Sequence, residues 1–157
     1  MASTQDLQKK VFLAARDQGI SSVLFRNATS RTLGLNSADS ACLSFLSING
    51  TSTPTQLASY TGLTTGATTA MLDRLEKVGF ISRRPNPDDR RGVLVEISPL
   101  YQQQAGPLVA GVQKAHHELL ATYSDQELVV IADFLTRFTQ NVQKSTKKIE
   151  SGFNSDE

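Results

Sequence analysis

The spacing of apolar and polar residues predicts a series of helices interrupted by one β-hairpin. Apolar residues recur every three to four positions from about Asp6 to Arg31, which indicates a first helix with a candidate irregularity at Gly19. A second helix starts near Asn36 or Ser37, because either side chain can cap a helix N-terminus. Gly50 then breaks the pattern.

Start signals for two further helices follow closely. The segment Thr53–Gln56 has the form of a capping box with proline at the first helical position, and Gly62 keeps this third helix short. Thr64 caps a fourth helix, which runs to about Val78 and ends at Gly79. The apolar residues expected on its buried face are Ala67, Met71, Leu75 and Val78.

A two-residue period replaces the helical period after the fourth helix. It predicts a strand over Phe80–Arg84 and a returning strand over Val93–Ile97. The intervening Pro85–Asp89 has the composition of a turn. This part of the chain therefore forms a hairpin.

Two more helices complete the pattern. Ser98–Pro99 opens a fifth helix that reaches about Ala121, and Gly106–Pro107 is expected to kink or restart it. Ser124 and Glu127 form a second capping box before the last helix. The apolar stripe of that helix consists of Leu128, Ile131, Ala132, Leu135, Phe138 and Val142.

Composition restricts the class of protein. The 157 residues are 39% hydrophobic and 20% charged, which is typical of one soluble globular domain. A lone cysteine, Cys42, can form neither an intrachain disulfide nor a cysteine-based zinc site. Residues 1–10 lack the apolar segment of a signal peptide, and no apolar run is long enough to span a membrane. We therefore expect a cytoplasmic protein without membrane contact.

The net charge of +1 hides a local basic stretch. Six cations against three carboxylates lie between residues 74 and 91. Positive charge concentrated in one segment is a typical footprint of nucleic-acid binding. The cations are Arg74, Lys77, Arg83, Arg84, Arg90 and Arg91.

The same segment has the element order of a winged helix-turn-helix. In such a unit the N-terminal residues of the second helix contact base edges in the major groove. The outward positions there are predicted to be small and mostly hydroxylated, which suits close approach and contact with phosphates or thymine methyl groups. These positions are Thr65, Gly66, Thr68 and Thr69.

Basic residues around this helix supply further candidate contacts. Arg74, about two turns later, is expected to reach a backbone phosphate. The hairpin is the wing, and an arginine at its tip can enter a narrow minor groove. Asp89 can hold Arg91 there by a charge-assisted hydrogen bond. The full set of candidate DNA-binding residues is Thr53, Thr55, Thr64, Thr65, Gly66, Thr68, Thr69, Arg74, Arg84, Asp89, Arg90 and Arg91.

Residues Leu63–Arg84 and Asn86–Gly92 together resemble the multiple-antibiotic-resistance regulator (MarR) family. The shared pattern is a recognition helix, then Leu-Glu-Lys-x-Gly, a basic strand and an Asp-x-Arg wing. The matching residues are Leu75, Glu76, Lys77, Gly79, Arg84, Asp89 and Arg91.

The resemblance implies a function and an assembly. It implies a homodimeric transcription regulator, in which the first helix and the last two form the dimer interface. It implies binding to a pseudo-palindromic operator in double-stranded DNA, and a repressor that a small aromatic or anionic ligand releases. Arg91 would be the wing-tip arginine and Asp89 its partner.

The chain departs from the family in several places. The usual Leu-Thr-x-x-Gly after the wing is Ile97–Tyr101 here, and Gly106–Pro107 is unusual. The first helix lacks the cysteine of the organic-hydroperoxide branch near its start, and the tryptophan of the urate-responsive branch is absent because the chain has no tryptophan. The ligand-binding residues stay unassigned.

The sequence also bears on other functions. An enzyme is excluded because the chain offers no carboxylate pair with a basic partner, nucleophile elbow, phosphate-binding glycine loop or metal-ligand cluster. No cofactor is expected. A DNA-binding protein without ligand response and a redox regulator based on Cys42 are the alternatives. Adjacent His116 and His117 point about 100° apart on a helix, which favours a surface role over metal chelation.

The predicted fold class is mainly α with a small β-hairpin wing, a winged helix-turn-helix plus a helical dimerisation region. Residues 1–35 form the N-terminal helix of the dimerisation region, and 36–98 form the DNA-binding domain. Residues 99–150 return to the dimerisation region, and 151–157 form a flexible tail.

Overall fold

A computed structural model describes residues 3–153 of the chain, apart from the side chains at positions 91, 150 and 153. The described residues form six helices and one antiparallel hairpin, in the predicted order. This confirms a mainly α fold with a β-hairpin wing. The elements are α1 Thr4–Thr32, α2 Ser37–Asn49, α3 Pro54–Thr61, α4 Thr65–Lys77, β1 Ile81–Asn86, β2 Asp89–Ile97, α5 Pro99–Leu120 and α6 Asp125–Phe153.

Capping side chains fix the starts of the helices as the sequence predicted. Asn36 Oδ1 accepts the Asp39 N–H at 2.8 Å, and Asp39 Oδ2 accepts the Asn36 N–H at 3.3 Å. Gln56 Oε1 accepts the Thr53 N–H at 2.8 Å in the corresponding box of α3. Each pair satisfies two backbone donors that the helix itself leaves unpaired, so α2 and α3 begin at defined residues.

One apolar core joins α2, α3, α4 and the base of the hairpin. Leu43, Leu57 and Leu75 are completely buried in it. Phe80 contacts Tyr101 edge-on with ring centroids 5.4 Å apart. This contact connects the core to the first turn of α5. The buried members of the core are Cys42, Leu43, Leu46, Leu57, Met71, Leu72, Leu75, Phe80, Ile81 and Val95.

The buried face of α4 differs from the predicted one. Its buried residues are Thr68, Met71, Leu72 and Leu75, at i, i+3, i+4 and i+7. The prediction of Ala67 and Val78 on this face was wrong, because Ala67 is exposed and Val78 is half exposed. Met71 and Leu75 belong to both the predicted and the observed face. The observed face adds Leu72, whose side chain buries more apolar surface than that of Ala67 or Val78, so α4 turns this face to the core.

The hairpin is longer than its predicted strands. β1 pairs with β2 in antiparallel register from Ile81–Ile97 to Pro85–Val93, and the register then shifts so that Asn86 faces Asp89. The predicted turn Pro85–Asp89 is present but is confined to residues 87–88, and the predicted strand start at Val93 was wrong because β2 starts at Asp89. A bridge between Ser52 and Val95 adds a short third edge.

Ser98 connects the hairpin to both neighbouring helices. Its hydroxyl donates to the carbonyl of Gly79, where α4 ends with a φ of +79°. The same oxygen accepts the Tyr101 N–H at 3.2 Å and so caps α5. The departure from the family pattern at Ile97–Tyr101 therefore keeps a working helix start.

The two long helices are unbroken where the sequence suggested a change. α1 is continuous through Gly19, and α5 does not restart at Gly106–Pro107 but is a single helix that contains Pro107, whereas a kink there stays a prediction. Each lies well inside a long helix, so neighbouring turns offset the local cost of the glycine or the missing proline N–H. The capping box of Ser124 and Glu127 is present at the start of α6, with Glu127 Oε2 accepting the Ser124 N–H at 2.8 Å.

The chain divides into two compact units within α5, one up to Ala110 and one from Gly111 on. The predicted division at residues 35/36 and 98/99 follows element ends and stays a prediction. α6 continues to Phe153, so the first residues of the predicted tail 151–157 are helical, and 154–157 lie outside the described residues. None of the described helices is long and apolar enough to cross a membrane.

Candidate nucleic-acid interface

The turn between α3 and α4 positions the start of α4. Gly62 has a φ of +69°, a left-handed conformation that glycine adopts without steric cost. Leu63 packs against the core, and Thr64 Oγ1 then accepts the Ala67 N–H at 3.3 Å. The tight turn and the cap together define the direction in which the first turn of α4 points.

Small side chains cover the exposed face of α4 in its first turn and at the start of its second. Thr65, Gly66 and Thr69 are all exposed. The Thr69 hydroxyl donates to the Thr65 carbonyl at 3.0 Å, so its one O–H hydrogen is engaged within the helix. A Cβ placed on Gly66 would meet no atom within 4 Å, so this surface is open to close approach.

Thr68 does not belong to this exposed surface, contrary to the prediction that it points outward. It is 2% exposed and lies on the core side of α4 with Met71 and Leu72. Its hydroxyl oxygen has no hydrogen-bond partner among the described residues. The exposed residues that the sequence reasoning missed are Ala67 and Ala70, which the i, i+3, i+4 spacing of the buried leucine face would have identified.

The predicted contacts on α3 differ in how available they are. Thr55 is exposed in the first turn. Thr53 is half buried, and its hydroxyl is held by Gln56, accepting the backbone N–H at 3.3 Å and donating to Oε1 at 3.1 Å. The Thr53 hydroxyl is therefore engaged in the helix cap, whereas the exposed Thr55 side chain is available to contact a ligand.

The tip of the wing is a bulge on β2. Because Pro85 faces Val93 and Asn86 faces Asp89, residues 90–92 have no partner on β1. The Asp88 N–H donates to Asn86 Oδ1 at 3.0 Å, which closes the turn. The bulge thus places Arg90 and Arg91 at the end of the hairpin.

Gly92 fits the bulge because it is small. A Cβ there would come within 3.0 Å of Asp89 Oδ2 and 3.2 Å of Asn86 Cβ. The predicted hydrogen bond from Arg91 to Asp89 involves a side chain outside the described part, so it stays a prediction.

Carboxylates neutralise much of the basic stretch. Arg83 Nη2 lies 2.7 Å from Asp73 Oδ1, and Nη1 lies 3.2 Å from Glu76 Oε2, which ties β1 to α4. Arg84 Nε lies 3.1 Å from Glu96 Oε2 on the facing strand. Of the cations in this basic stretch whose side chains are described, Lys77 and Arg90 form no ion pair with a carboxylate.

Arg74 is held by a buried carboxylate. Its Nη2 lies 2.6 Å from Asp39 Oδ1 and its Nε 3.2 Å from Asp39 Oδ2. The Asp39 side chain is 4% exposed and that of Arg74 is 47% exposed. These hydrogen bonds raise the pKa of Arg74 further. A phosphate contact by Arg74, as predicted, would require its guanidinium to leave this carboxylate.

Sequence comparison with known proteins points to one family. The sequence model of the MarR family matches residues 35–93. An HTH-type transcriptional regulator of Bacillus subtilis, YcgE, itself named as uncharacterized, is 29% identical over 148 residues, covering 94% of this chain and 96% of the relative. The multiple antibiotic resistance protein MarR of Escherichia coli K12 is 35% identical over 88 residues, covering 54% of this chain and 60% of that protein. The segment from residue 35 to residue 93 belongs to the MarR family.

Further relatives agree with this membership. The HTH-type transcriptional repressor YetL of Bacillus subtilis is 30% identical over 74 residues, covering 47% of this chain and 44% of that protein. The crystal structure of apo wild-type MarR from E. coli matches with a TM-score of 0.51 at 26% identity, covering 87% of this chain and 97% of the other. The crystal structure of a mutant E. coli MarR complexed with operator DNA matches with a TM-score of 0.51 at 24% identity, covering 87% and 98%.

Family membership settles the class of protein. MarR-family proteins are transcriptional regulators, which confirms the exclusion of an enzyme. Residues 35–93 run from the residue before the α2 cap to the wing, so the matched segment contains the first turn of α4 and the bulge.

Cys42 and the paired histidines do not extend this site. Cys42 is completely buried, and burial, followed by the nearby charge of Asp39, raises its pKa to about 12. A thiol held in the protonated form reacts slowly with oxidants, which argues against the redox alternative. His116 and His117 are exposed on α5, and no group of three metal-binding side chains occurs among the described residues.

Proposed function

We propose that the protein binds double-stranded DNA sequence-specifically as a homodimer and represses transcription. The observation that carries this proposal is the row of small side chains on the exposed first turn of α4, opposite a face buried in the core. A helix in this position can lie in the major groove with its N-terminal residues at the base edges. Thr65, Gly66 and Thr69 are the base-facing candidates.

The chemistry of these residues suits that role. Gly66 lets the helix approach closely, and the methyl groups of Thr65 and Thr69 can contact thymine methyl groups. Thr55 in the first turn of α3 and Thr64 at the α4 cap lie where phosphates are expected, because helix N-termini attract anions. Arg90 and Arg91 on the bulge are the candidates for the minor groove.

A homodimer would explain two long helices with exposed apolar side chains. Phe12 is 54% exposed and Leu24 63% exposed on α1, and Val130 is 68% exposed on α6. Large exposed apolar surface of this kind usually marks an interface. The most exposed apolar residues on the two helices are Leu7, Phe12, Leu13, Ile20, Leu24, Val129, Val130, Val142 and Ile149.

Repression and ligand release rest on family relationship rather than on the site. YetL is named a transcriptional repressor. A dimer bound across a promoter would block transcription directly. We infer that a small aromatic or anionic ligand weakens DNA binding here. A regulator without ligand response is the alternative, and a panel of aromatic carboxylates and phenols added to the protein–DNA complex distinguishes the two.

Selection from a pool of randomised duplexes tests the DNA-binding proposal. The expected product is an enriched inverted repeat whose half-sites lie about 10 base pairs apart, since two recognition helices must enter successive major grooves. A pool that stays unenriched would contradict sequence-specific binding. Enrichment of a single half-site would contradict the dimer.

A further inference from the structure

Arg74 and the buried carboxylate of Asp39 form the one two-point ionic contact that we find between α4 and α2 in the described part of the chain. The geometry points to a positioning role: Asp39 holds Arg74 so that α4 presents its first turn to DNA in a fixed orientation. This inference rests on the proposed function. It replaces the expectation that Arg74 contacts a phosphate.

Asp39 is itself rigidly held. It occupies the third position of α2, where its Oδ2 accepts the Asn36 N–H at 3.3 Å within the capping box. Its own N–H donates to Asn36 Oδ1 at 2.8 Å. A carboxylate near a helix N-terminus is further stabilised by the backbone dipoles. The anchor for Arg74 is therefore fixed to α2 and cannot follow a movement of α4.

α2 and α4 also share apolar contacts. Leu43 and Leu46 of α2 belong to the same core as Leu72 and Leu75 of α4. Such contacts fix the distance between helices but have little directionality. A planar guanidinium bound at two nitrogens does have directionality, and lysine cannot reproduce it. The ion pair therefore resists rotation of α4 about its own axis.

Rotation of α4 would matter most where the proposed base contacts lie. Thr65 precedes Arg74 by about 14 Å along the helix axis, at 1.5 Å per residue. Because the helix is a stiff rod over this length, a twist at Arg74 turns the Thr65 and Thr69 side chains by the same angle. Loss of the ion pair should consequently reduce discrimination between sequences more than it reduces attraction to DNA in general.

The experiment compares Arg74→Lys and Asp39→Asn with the unchanged protein. The probes are the duplex that the unchanged protein selects and a scrambled duplex of the same composition, at a temperature where thermal melting shows each variant folded. We expect each change to weaken binding to the selected duplex about tenfold and to leave the scrambled duplex within about twofold. The double variant should be no weaker than the weaker single variant, because both changes break one contact.

The salt dependence separates positioning from a direct phosphate contact. A positioning role leaves the slope of log K against log salt unchanged in Arg74→Lys and Asp39→Asn. A phosphate contact predicts that Arg74→Lys binds almost as well as the unchanged protein, that Asp39→Asn strengthens binding to both duplexes alike, and that Arg74→Ala lowers the slope by about one per subunit. Those three results would overturn the inference.

One control variant and one fallback keep the test decisive. Ser40→Ala removes the buried hydrogen bond from Ser30 Oγ at 2.8 Å, which joins α1 to α2 next to Asp39. It should lower stability and leave discrimination unchanged. If Asp39→Asn does not fold, Arg74→Lys decides alone, and undiminished discrimination overturns the inference. If the unchanged protein itself binds the selected and the scrambled duplex equally well, the proposed function fails instead.

Discussion

Arg84 Nε donates to Glu96 Oε2 at 3.1 Å across the two strands of the wing. Both side chains are partly exposed, so the pair adds little stability. It does neutralise a cation on the surface that we propose faces DNA. Glu96 therefore competes with phosphate for Arg84.

Glu96→Gln should strengthen binding to any duplex. We expect about a threefold to tenfold gain at low salt for selected and scrambled DNA alike, with a steeper salt dependence, because Arg84 is released for a phosphate. Fluorescence anisotropy over a salt series measures both quantities. Glu118→Gln is the matched control, since it removes the same charge next to Lys114 on α5. An equal effect of both changes would rule out a local cause.

Thr68→Val should stabilise the protein. The Thr68 hydroxyl is buried without a partner in the described part of the chain, and valine keeps its shape while removing that oxygen. We expect a gain of about 1 kcal/mol in the free energy of unfolding, measured by urea denaturation. DNA binding should be unchanged, whereas a loss of affinity would restore Thr68 to the interface. Thr69→Val, on the exposed side, is the comparison.

Gly66→Ala should separate stability from DNA binding. The site has room for a methyl group, and alanine is favoured over glycine in a helix by about 0.5–1 kcal/mol. Stability should therefore rise while affinity for the selected duplex falls, because the added methyl group prevents close approach. Gly111→Ala in α5 has similar space and should raise stability without affecting binding. Unchanged affinity in Gly66→Ala would remove this turn from the interface.

Cys42 should make the folded state less stable in alkaline solution. Its pKa is raised to about 12 in the folded protein from an ordinary value of 9.0. The unfolded chain therefore loses the thiol proton first, and stability falls as the pH rises from about 9 towards 12, by up to about 1.4 kcal/mol per pH unit. Urea denaturation at pH 8 and pH 10 should show a larger loss in the unchanged protein than in Cys42→Ala. An equal loss in both would contradict the buried, protonated thiol.

Local signals made most of the fold predictable from sequence. The caps at Asn36, Thr53 and Ser124 depend on hydrogen bonds between residues three positions apart, and such pairs can be read directly from the chain. The family pattern from Leu63 to Gly92 is equally local. The element order and the class of site follow from these short-range features.

Long-range contacts were the part that the sequence could not supply. The pairing of Arg74 with Asp39 joins residues 35 positions apart, so Arg74 looked like a free cation. Thr68 was misplaced for a related reason, since two helical registers fit the α4 pattern and only the core around Leu72 decides between them. The bulge at Arg90 depends on a register shift that turn composition does not specify.

The central claim is that the first turn of α4 reads a DNA sequence. Anisotropy titration of the selected duplex against a scrambled one, at several salt concentrations, tests it most directly. We predict binding to the selected duplex at least ~10³-fold tighter than to the scrambled duplex, with affinity for both falling as salt rises. Equal affinity for the two duplexes, or binding that ignores salt, would contradict the account.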